Sequence, residues 1–300
     1  MSKKAVPAAP PAFQLTQRDL DVIDSVYSYT LLSSQQIEAL HFASEGGSPR
    51  TRCGVRLAKL AAHGYLGRVE QAQLLSEGRK PYLYYLTPKG AQLVADTLGC
   101  EVSELDWHSR IAQLTPMHRA HLLDSNQIRL RLEQAAARHG LSIPTWISEH
   151  TLRRTHSKDV VTITTPEGNQ RTTVTPDGFF SLVTPRGTIY LFIECDRHTE
   201  TVRATRMQQA NWQRKIMGYQ AYHGQGFYQK RYNKSNFRVL TVTLSERRLA
   251  TLKAATEDAG GKRRYWFTTL DLVNTSDPLI DPIWQIASAT GKVPFLEEHS

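Results

Sequence analysis

The sequence has few cysteines and no long apolar run. Its three cysteines, Cys53, Cys100 and Cys195, are scattered along the chain, and neither a disulfide framework nor a zinc site is built from such spacing. No apolar run approaches the roughly 20 residues that cross a bilayer, and the N-terminal stretch has no hydrophobic segment of a secretory signal. These absences exclude disulfide-stapled, zinc-finger and membrane-spanning classes, and they predict a cytoplasmic protein without membrane contact.

The chain is long enough for two separate hydrophobic cores. It has 300 residues, of which 40% are hydrophobic and 22% charged, and this balance is that of a globular protein rather than a disordered one. Residues 1–13 are basic and rich in Pro and Ala, so we predict a disordered arm there. We predict a first domain over 14–100, a linker over 101–116 and a second domain over 117–300.

Positive charge is concentrated in two windows of the sequence. The formal net charge is +9. Residues 50–89 contain eight Lys or Arg and two Glu, and residues 197–238 contain nine Lys or Arg and one Glu. Charge of one sign that is confined to patches is typical of proteins that bind a polyanion. Double-stranded DNA is therefore the predicted partner.

The first domain has the order of elements expected of a winged helix-turn-helix. Helix starts are indicated by Thr16, by Ser33 and by Ser48 with Pro49 after it. Two predicted strands, 65–69 and 81–87, enclose a basic loop tip, and a last helix covers 91–98. A basic third helix can enter the major groove while the loop tip reaches phosphates, although a winged helix can also bind protein. The predicted DNA contacts here are Arg50, Arg52, Arg56, Lys59, Arg79 and Lys80.

Residues 173–200 read as two strands joined by a short turn at 185–187. The run from Ile189 to Ile193 is continuously apolar, as in a strand that is buried on both faces. It is followed by Glu194 and Asp196, whose side chains point to the same side because side chains alternate along a strand. With Asp177 alongside in the hairpin, three carboxylates converge, and burying them is unfavourable unless a cation compensates their charge. Asp177, Glu194 and Asp196 are the predicted metal ligands.

The hairpin is followed by a basic helix that reaches residue 222. Trp212, Ile216 and Tyr219 share its apolar face, and Lys215 lies beside that stripe, in a position to face the end of the sheet. The further predicted DNA contacts lie on and before this helix and are Arg197, Arg203, Arg206 and Arg214.

The order helix, strand, strand, helix, strand, helix, strand, with acids at the ends of the middle strands, resembles the PD-(D/E)xK nuclease core. Pro176-Asp177 and Glu194-Cys195-Asp196 match that motif, but Asp196 stands where the family usually has lysine. Some members keep activity with an acid there, and others carry the lysine on the next helix, where Lys215 lies. The resemblance implies that Asp177 and Glu194 bind Mg²⁺ or Mn²⁺, that Asp196 is a further ligand or orients water, and that Lys215 neutralises the scissile phosphate.

The fold class predicted for the chain is therefore α/β (α+β overall). A winged helix-turn-helix is followed by a restriction-endonuclease-like mixed sheet flanked by helices. Three stretches carry a second resemblance, to the replication-relaxation family of bacterial plasmids and integrative elements, and they are HRAHLLDSNQIRLRLEQAA, TPDGFF and YLFIECDRHTETVRATRMQQANWQRKIMGYQAYH. That family is similar to MobC-type relaxases.

The second resemblance implies a metal-dependent DNA nickase that acts at a transfer or replication origin, in plasmid mobilisation or conjugation. It also implies other DNA-processing proteins of mobile elements as partners. Two alternatives stay open. One is a non-catalytic accessory, initiation or regulatory factor with a degenerate nuclease fold, and the other is regulation through protein contacts without DNA. A homodimer on a palindromic site is also left open.

Overall fold

The computed structural model describes residues 13–43, 48–71, 80–107, 109–156, 158–165, 168–197 and 206–296, with residues 206–210 as backbone. The predicted N-terminal arm lies outside these residues apart from Phe13. The chain divides into two compact units, Met1–Gln127 and Ile128–Ser300. Across the described residues, no helix is both long and apolar enough to cross a membrane.

The first unit is built from capped helices and a small antiparallel sheet. Thr16, Ser33 and Ser48 each accept a hydrogen bond from the backbone N–H three residues on, which confirms the three predicted helix starts. The strands pair in the order β1-β3-β2, and all pairs are antiparallel. The elements are α1 (Gln17–Tyr29), β1 (Leu32–Ser33), α2 (Ser34–His41), α3 (Pro49–Ala62), β2 (Leu66–Val69), β3 (Leu83–Leu86) and α4 (Pro88–Leu98).

The second unit contains a mixed six-stranded sheet. Its strand order is β11-β10-β9-β8-β7-β4, in which β8, β9 and β10 run parallel and the other neighbours antiparallel. A separate hairpin is formed by β5 and β6. The elements are α5 (Pro116–Arg138), which begins in the first unit, β4 (Ser142–Ser148), α6 (Glu149–His156), β5 (Val160–Thr165), β6 (Gly168–Thr173), β7 (Gly178–Thr184), β8 (Gly187–Asp196), α7 (Arg206–Gly224), α8 (Phe227–Tyr232), β9 (Arg238–Thr243), α9 (Glu246–Asp258), β10 (Tyr265–Thr269), α10 (Leu270–Thr275) and β11 (Gln285–Ile286).

Apolar side chains cover both faces of the six-stranded sheet. Phe192 of β8 packs in a cluster with α7, α8 and α9, whereas Leu191 and Ile193 pack in a second cluster with the later turns of α5 and the C-terminal segment. All three are at most 1% exposed, and burying each contributes about 1.5–3 kcal/mol. This confirms the prediction of a strand buried on both faces. At its end, Glu194 is in the interior and Asp196 is partly buried.

Two short helices of the second unit are not evident from the sequence. The polar stretch 151–172 contains the end of α6 before the β5–β6 hairpin. The stretch 227–234, in which aromatic and basic residues are interleaved, contains α8, whose Tyr228 is 1% exposed. Both helices are short, and their few apolar residues show too little periodicity to be recognised.

Candidate functional site

The candidate site lies at the end of the six-stranded sheet where β8 finishes and β7 begins. Gly178 pairs with Ile193, so that Asp177 lies beside Glu194. The Asp177 N–H donates to the Ile193 carbonyl at 3.0 Å, and the Cys195 N–H donates to Asp177 Oδ2 at 2.7 Å. A Cβ at position 178 would lie 2.7 Å from Ile193 Cγ2. Glycine therefore permits the close approach of the strands that brings Asp177 to this place.

Glu194 is the most deeply buried acid of the site. Its residue is 2% exposed, and both carboxylate oxygens accept hydrogen bonds from α7. Lys215 Nζ donates to Oε2, and the Tyr219 hydroxyl donates to Oε1 at 2.5 Å. Lys215 and Tyr219 are four residues apart on the helix, so they project from one face towards the same carboxylate. The structure thus brings together Glu194 and Lys215, as the sequence predicts.

The charges at the site perturb each other strongly. Burial raises the pKa of Glu194 to about 7, with the Lys215 ammonium opposing this rise and the Asp177 carboxylate adding to it. Burial alone would lower the pKa of Lys215, but the carboxylates of Glu194, Asp177 and Glu149 raise it. Two carboxylates and one ammonium group thus influence each other's protonation at the end of the sheet, as is common at functional sites.

Glu149 is a site residue that the sequence did not reveal. It is the first residue of α6 and directly follows β4, the neighbour of β7. One of its carboxylate oxygens lies within 4.8 Å of one of Asp177, and Arg153 Nε donates to its Oε1 at 2.8 Å. The available signal was the strand ending at Ser148, since an acid directly after a strand of the same sheet can join the others at its edge.

Asp196 points to a different partner. Arg248 of α9 binds it with two hydrogen bonds, from Nε to Oδ2 at 2.9 Å and from Nη2 to Oδ1 at 3.1 Å. The Thr243 hydroxyl donates to Oδ2 at 3.3 Å. The structure therefore engages both oxygens of Asp196 in a forked ion pair. The metal role predicted for Asp196 stays a prediction.

In the first unit, two of the predicted DNA contacts line a groove between α2, α3 and the strands β2 and β3. Arg50 and Lys80 border a cavity of about 300 Å³, together with Arg68, which the sequence analysis did not select. All three side chains are exposed. The structure gathers these basic residues around one concave surface.

The other predicted DNA contacts are placed differently. Arg56 binds the carboxylate of Asp19, which is 1% exposed, with both Nε and Nη2, and so it faces the interior. Arg52 Nη2 donates to the Phe42 carbonyl at 3.4 Å. Lys59 and Arg214 are exposed, and Arg197 is half-buried. Arg79 and Arg203 lie outside the described residues, and Arg206 is described as backbone.

Comparisons with known proteins identify one family. A family model described as replication-relaxation matches residues 23–237. Among curated proteins, none matches the chain. Among solved structures, the restriction endonuclease FokI bound to DNA is similar at 11% sequence identity and a TM-score of 0.28, over 87% of this chain and 45% of that one. The chain thus spans less than half the length of that protein.

Proposed function

The chain belongs to the replication-relaxation family, and we propose that it binds duplex DNA at a specific site and nicks one strand with the help of a divalent metal ion. The observation that carries this proposal is the buried Glu194, held by Lys215 and Tyr219 beside Asp177. Burying a carboxylate beside a second acid costs folding free energy. Groups of this kind are concentrated at functional sites.

The donor set of the site fits Mg²⁺ or Mn²⁺. Asp177, Glu194 and Glu149 offer carboxylate oxygens, which these hard ions prefer. Each carboxylate oxygen has two lone pairs, so hydrogen bonds from Lys215 and Tyr219 leave Glu194 with acceptor capacity. When bound, the ion supplies an activated water and stabilises charge on a phosphate.

The side chains of the protein then have distinct roles. Asp177 and Glu194 hold the ion, and the N–H of Cys195 fixes the orientation of the Asp177 carboxylate. Tyr219 fixes that of Glu194. The Lys215 side chain is 31% exposed, and its ammonium group, which binds Glu194, is the group that neutralises the charge developing on the phosphate. Asp196 keeps its predicted role only if Arg248 releases it.

For recognition, we propose that the first unit is a winged helix-turn-helix. Its order of helices and strands is the expected one, and α3 carries the exposed Arg50 and Lys59. Basic side chains on such a helix bind phosphates and base edges in the major groove.

Nicking of supercoiled plasmid tests this function. A target site is first selected from a pool of random duplexes by binding to the full chain, and it is then cloned into a plasmid. Conversion of supercoiled to open-circular plasmid is expected with Mg²⁺ or Mn²⁺ and not with EDTA. Asp177→Asn and Lys215→Met should each lower the rate at least about a hundredfold, as for other groups that stabilise transition-state charge.

The matched controls are Asp258→Asn and Lys262→Met, which change exposed residues of the same unit and should nick at the wild-type rate. Nicking that persists in Asp177→Asn, Glu194→Gln and Lys215→Met would show that this site is not the catalytic one.

A second candidate function is DNA binding without cleavage, as an accessory, initiation or regulatory factor. It is favoured by the forked pair of Asp196 with Arg248. At the position where the nuclease motif usually has lysine, this chain has an aspartate, and Arg248 binds both of its carboxylate oxygens. Tight, site-specific binding without metal-dependent nicking would decide for this candidate.

A further inference from the structure

The groove of the first unit that is lined by Arg50, Arg68 and Lys80 is concave and basic. Its walls are formed by two helices, α2 and α3, and by the β2–β3 pair. It is therefore a concave site and not the face of a single helix. Three of its lining residues are cationic, and Glu38 is the one acid among the described residues that line it. A net positive, concave surface of about 300 Å³ favours an anionic group.

Arg68 is held in a defined orientation within this groove. Its guanidinium carbon lies 4.3 Å from the centroid of the Tyr82 ring. Stacking on the ring engages the flat face of the guanidinium, and one N–H is within hydrogen-bond reach of the Tyr84 hydroxyl. A guanidinium has five N–H donors, so others are left for a forked contact. Planar forks of this kind match the oxygen spacing of a phosphate. Arg68 is therefore prepared for a phosphate at lower entropic cost than a freely moving side chain.

Gly54 gives a second, independent observation. It lies inside α3, where glycine costs about 1 kcal/mol relative to alanine, and it lines the groove. A Cβ at this position would have no neighbouring atom within 4 Å, so helix packing does not require glycine. A position that is unfavourable for the helix and faces open space suits the close approach of a ligand.

From these contacts we infer that the groove binds a backbone phosphate of duplex DNA, with Arg68 as the forked donor and Arg50 and Lys80 as flanking charges. The inference rests on the proposed DNA binding, and it adds Arg68 and Gly54 to the interface. Duplex DNA is favoured over a small phosphate compound because the groove adjoins α3, the proposed recognition helix, and its cations are exposed at the rim.

The test is the salt dependence of binding to a random-sequence duplex, measured by fluorescence anisotropy at several NaCl concentrations. Arg68→Gln should weaken binding about tenfold at low salt and reduce the slope of log K against log salt by about one, the value of one phosphate contact. Arg68→Lys, which keeps the charge without the fork, should weaken binding less while retaining the slope. Arg110→Gln removes an exposed arginine of the same unit outside the groove, and its slope should equal that of the wild type.

The variant Gly54→Leu distinguishes an effect on DNA binding in the groove from an effect on folding stability. Leucine is a better helix former than glycine, so the variant should melt at the wild-type temperature or above it, yet bind DNA about tenfold more weakly because its side chain fills the groove. Wild-type affinity and slope in both Gly54→Leu and Arg68→Gln would overturn the inference while leaving DNA binding in place. Stabilisation by inorganic phosphate at constant ionic strength that depends on Arg68, with an unchanged DNA slope, would likewise overturn the assignment to DNA.

Discussion

Two acids on strand β8, Glu194 and Asp196, lie two residues apart on the same face and are paired in different ways. Glu194 binds the single ammonium group of Lys215 and a tyrosine hydroxyl. Asp196 binds both arms of the Arg248 guanidinium, and the two side chains are 8% and 13% exposed. A forked pair satisfies both carboxylate oxygens in a fixed geometry, whereas a point charge on a flexible stem can move to another anion.

The comparison suggests a division of tasks along one strand. The forked pair of Asp196 is suited to holding the strand end against α9. The pair of Glu194 with Lys215 is suited to exchange its partner for a metal ion and a phosphate.

The largest effect is expected on nicking activity. Glu194→Gln keeps the shape of the side chain but removes its charge, so it should lower the nicking rate at least about a hundredfold, as loss of an electrostatic catalytic group does. Asp196→Asn should lower it less than about tenfold, because Arg248 already neutralises that charge. Both rates are measured on supercoiled plasmid with Mg²⁺. Equal losses in the two variants would contradict the division of tasks.

The next effect concerns stability. Arg248→Met leaves the Asp196 carboxylate in the interior without its partner, and breaking a buried ion pair in this way costs about 3–5 kcal/mol. Urea unfolding measures the loss. The double variant Arg248→Met with Asp196→Leu removes both charges and should recover most of that free energy. No recovery in the double variant would show that the pair is not the source of the loss.

The forked pair of Arg56 with Asp19 extends the comparison to the first unit. Arg56→Met should destabilise this unit by about 3 kcal/mol, at the lower end of the range for buried pairs because Arg56 is 25% exposed. DNA affinity of the folded variant should retain the wild-type salt slope, whereas Arg50→Gln should lower the slope by about one with little change in stability. A reduced slope in Arg56→Met would restore Arg56 as a phosphate contact.

The smallest expected effect is on the pH dependence of the stability that Asp277 contributes through its ionised carboxylate. Burial alone would raise the pKa of Asp277, but hydrogen bonds from Arg138, the Leu279 N–H and His139 lower it to about 2. A depressed pKa in the folded state adds stability above the ordinary aspartate pKa, and this stability is lost as pH falls towards 2. Relative to Asp277→Asn, the wild type should gain about 2 kcal/mol at about pH 6 and about 1 kcal/mol at about pH 3.

Urea unfolding of both proteins at the two pH values measures this difference. A gain that does not change with pH would show that the Asp277 carboxylate is not held in its charged form by these partners.

Several features of the site follow from local sequence patterns. The apolar run of β8 predicts a buried strand, and the alternation along a strand predicts that Glu194 and Asp196 point to the same side. The caps at Thr16, Ser33 and Ser48 act within three residues, so they can be read without knowledge of the tertiary fold.

Other features depend on which segments meet. Glu149 is 28 residues before Asp177 in the chain, and its place at the site follows from the pairing of β4 with β7. In the sequence, Arg56 resembles a DNA contact because it lies on a basic helix, yet in the fold it binds Asp19 at the start of α1.

Apart from the short helices α6 and α8, the sequence by itself determined the main helices and strands, the family, and the convergence of Asp177 and Glu194, because each of these arises from residues close in the chain or from a recurring order of motifs. Only the tertiary structure decided which charged side chains pair with each other. It paired Asp196 with Arg248 and Arg56 with Asp19, added Glu149 to the sheet end and gathered Arg68 with Arg50 and Lys80. Electrostatic energy depends on distance and burial, and neither quantity is set by separation along the chain.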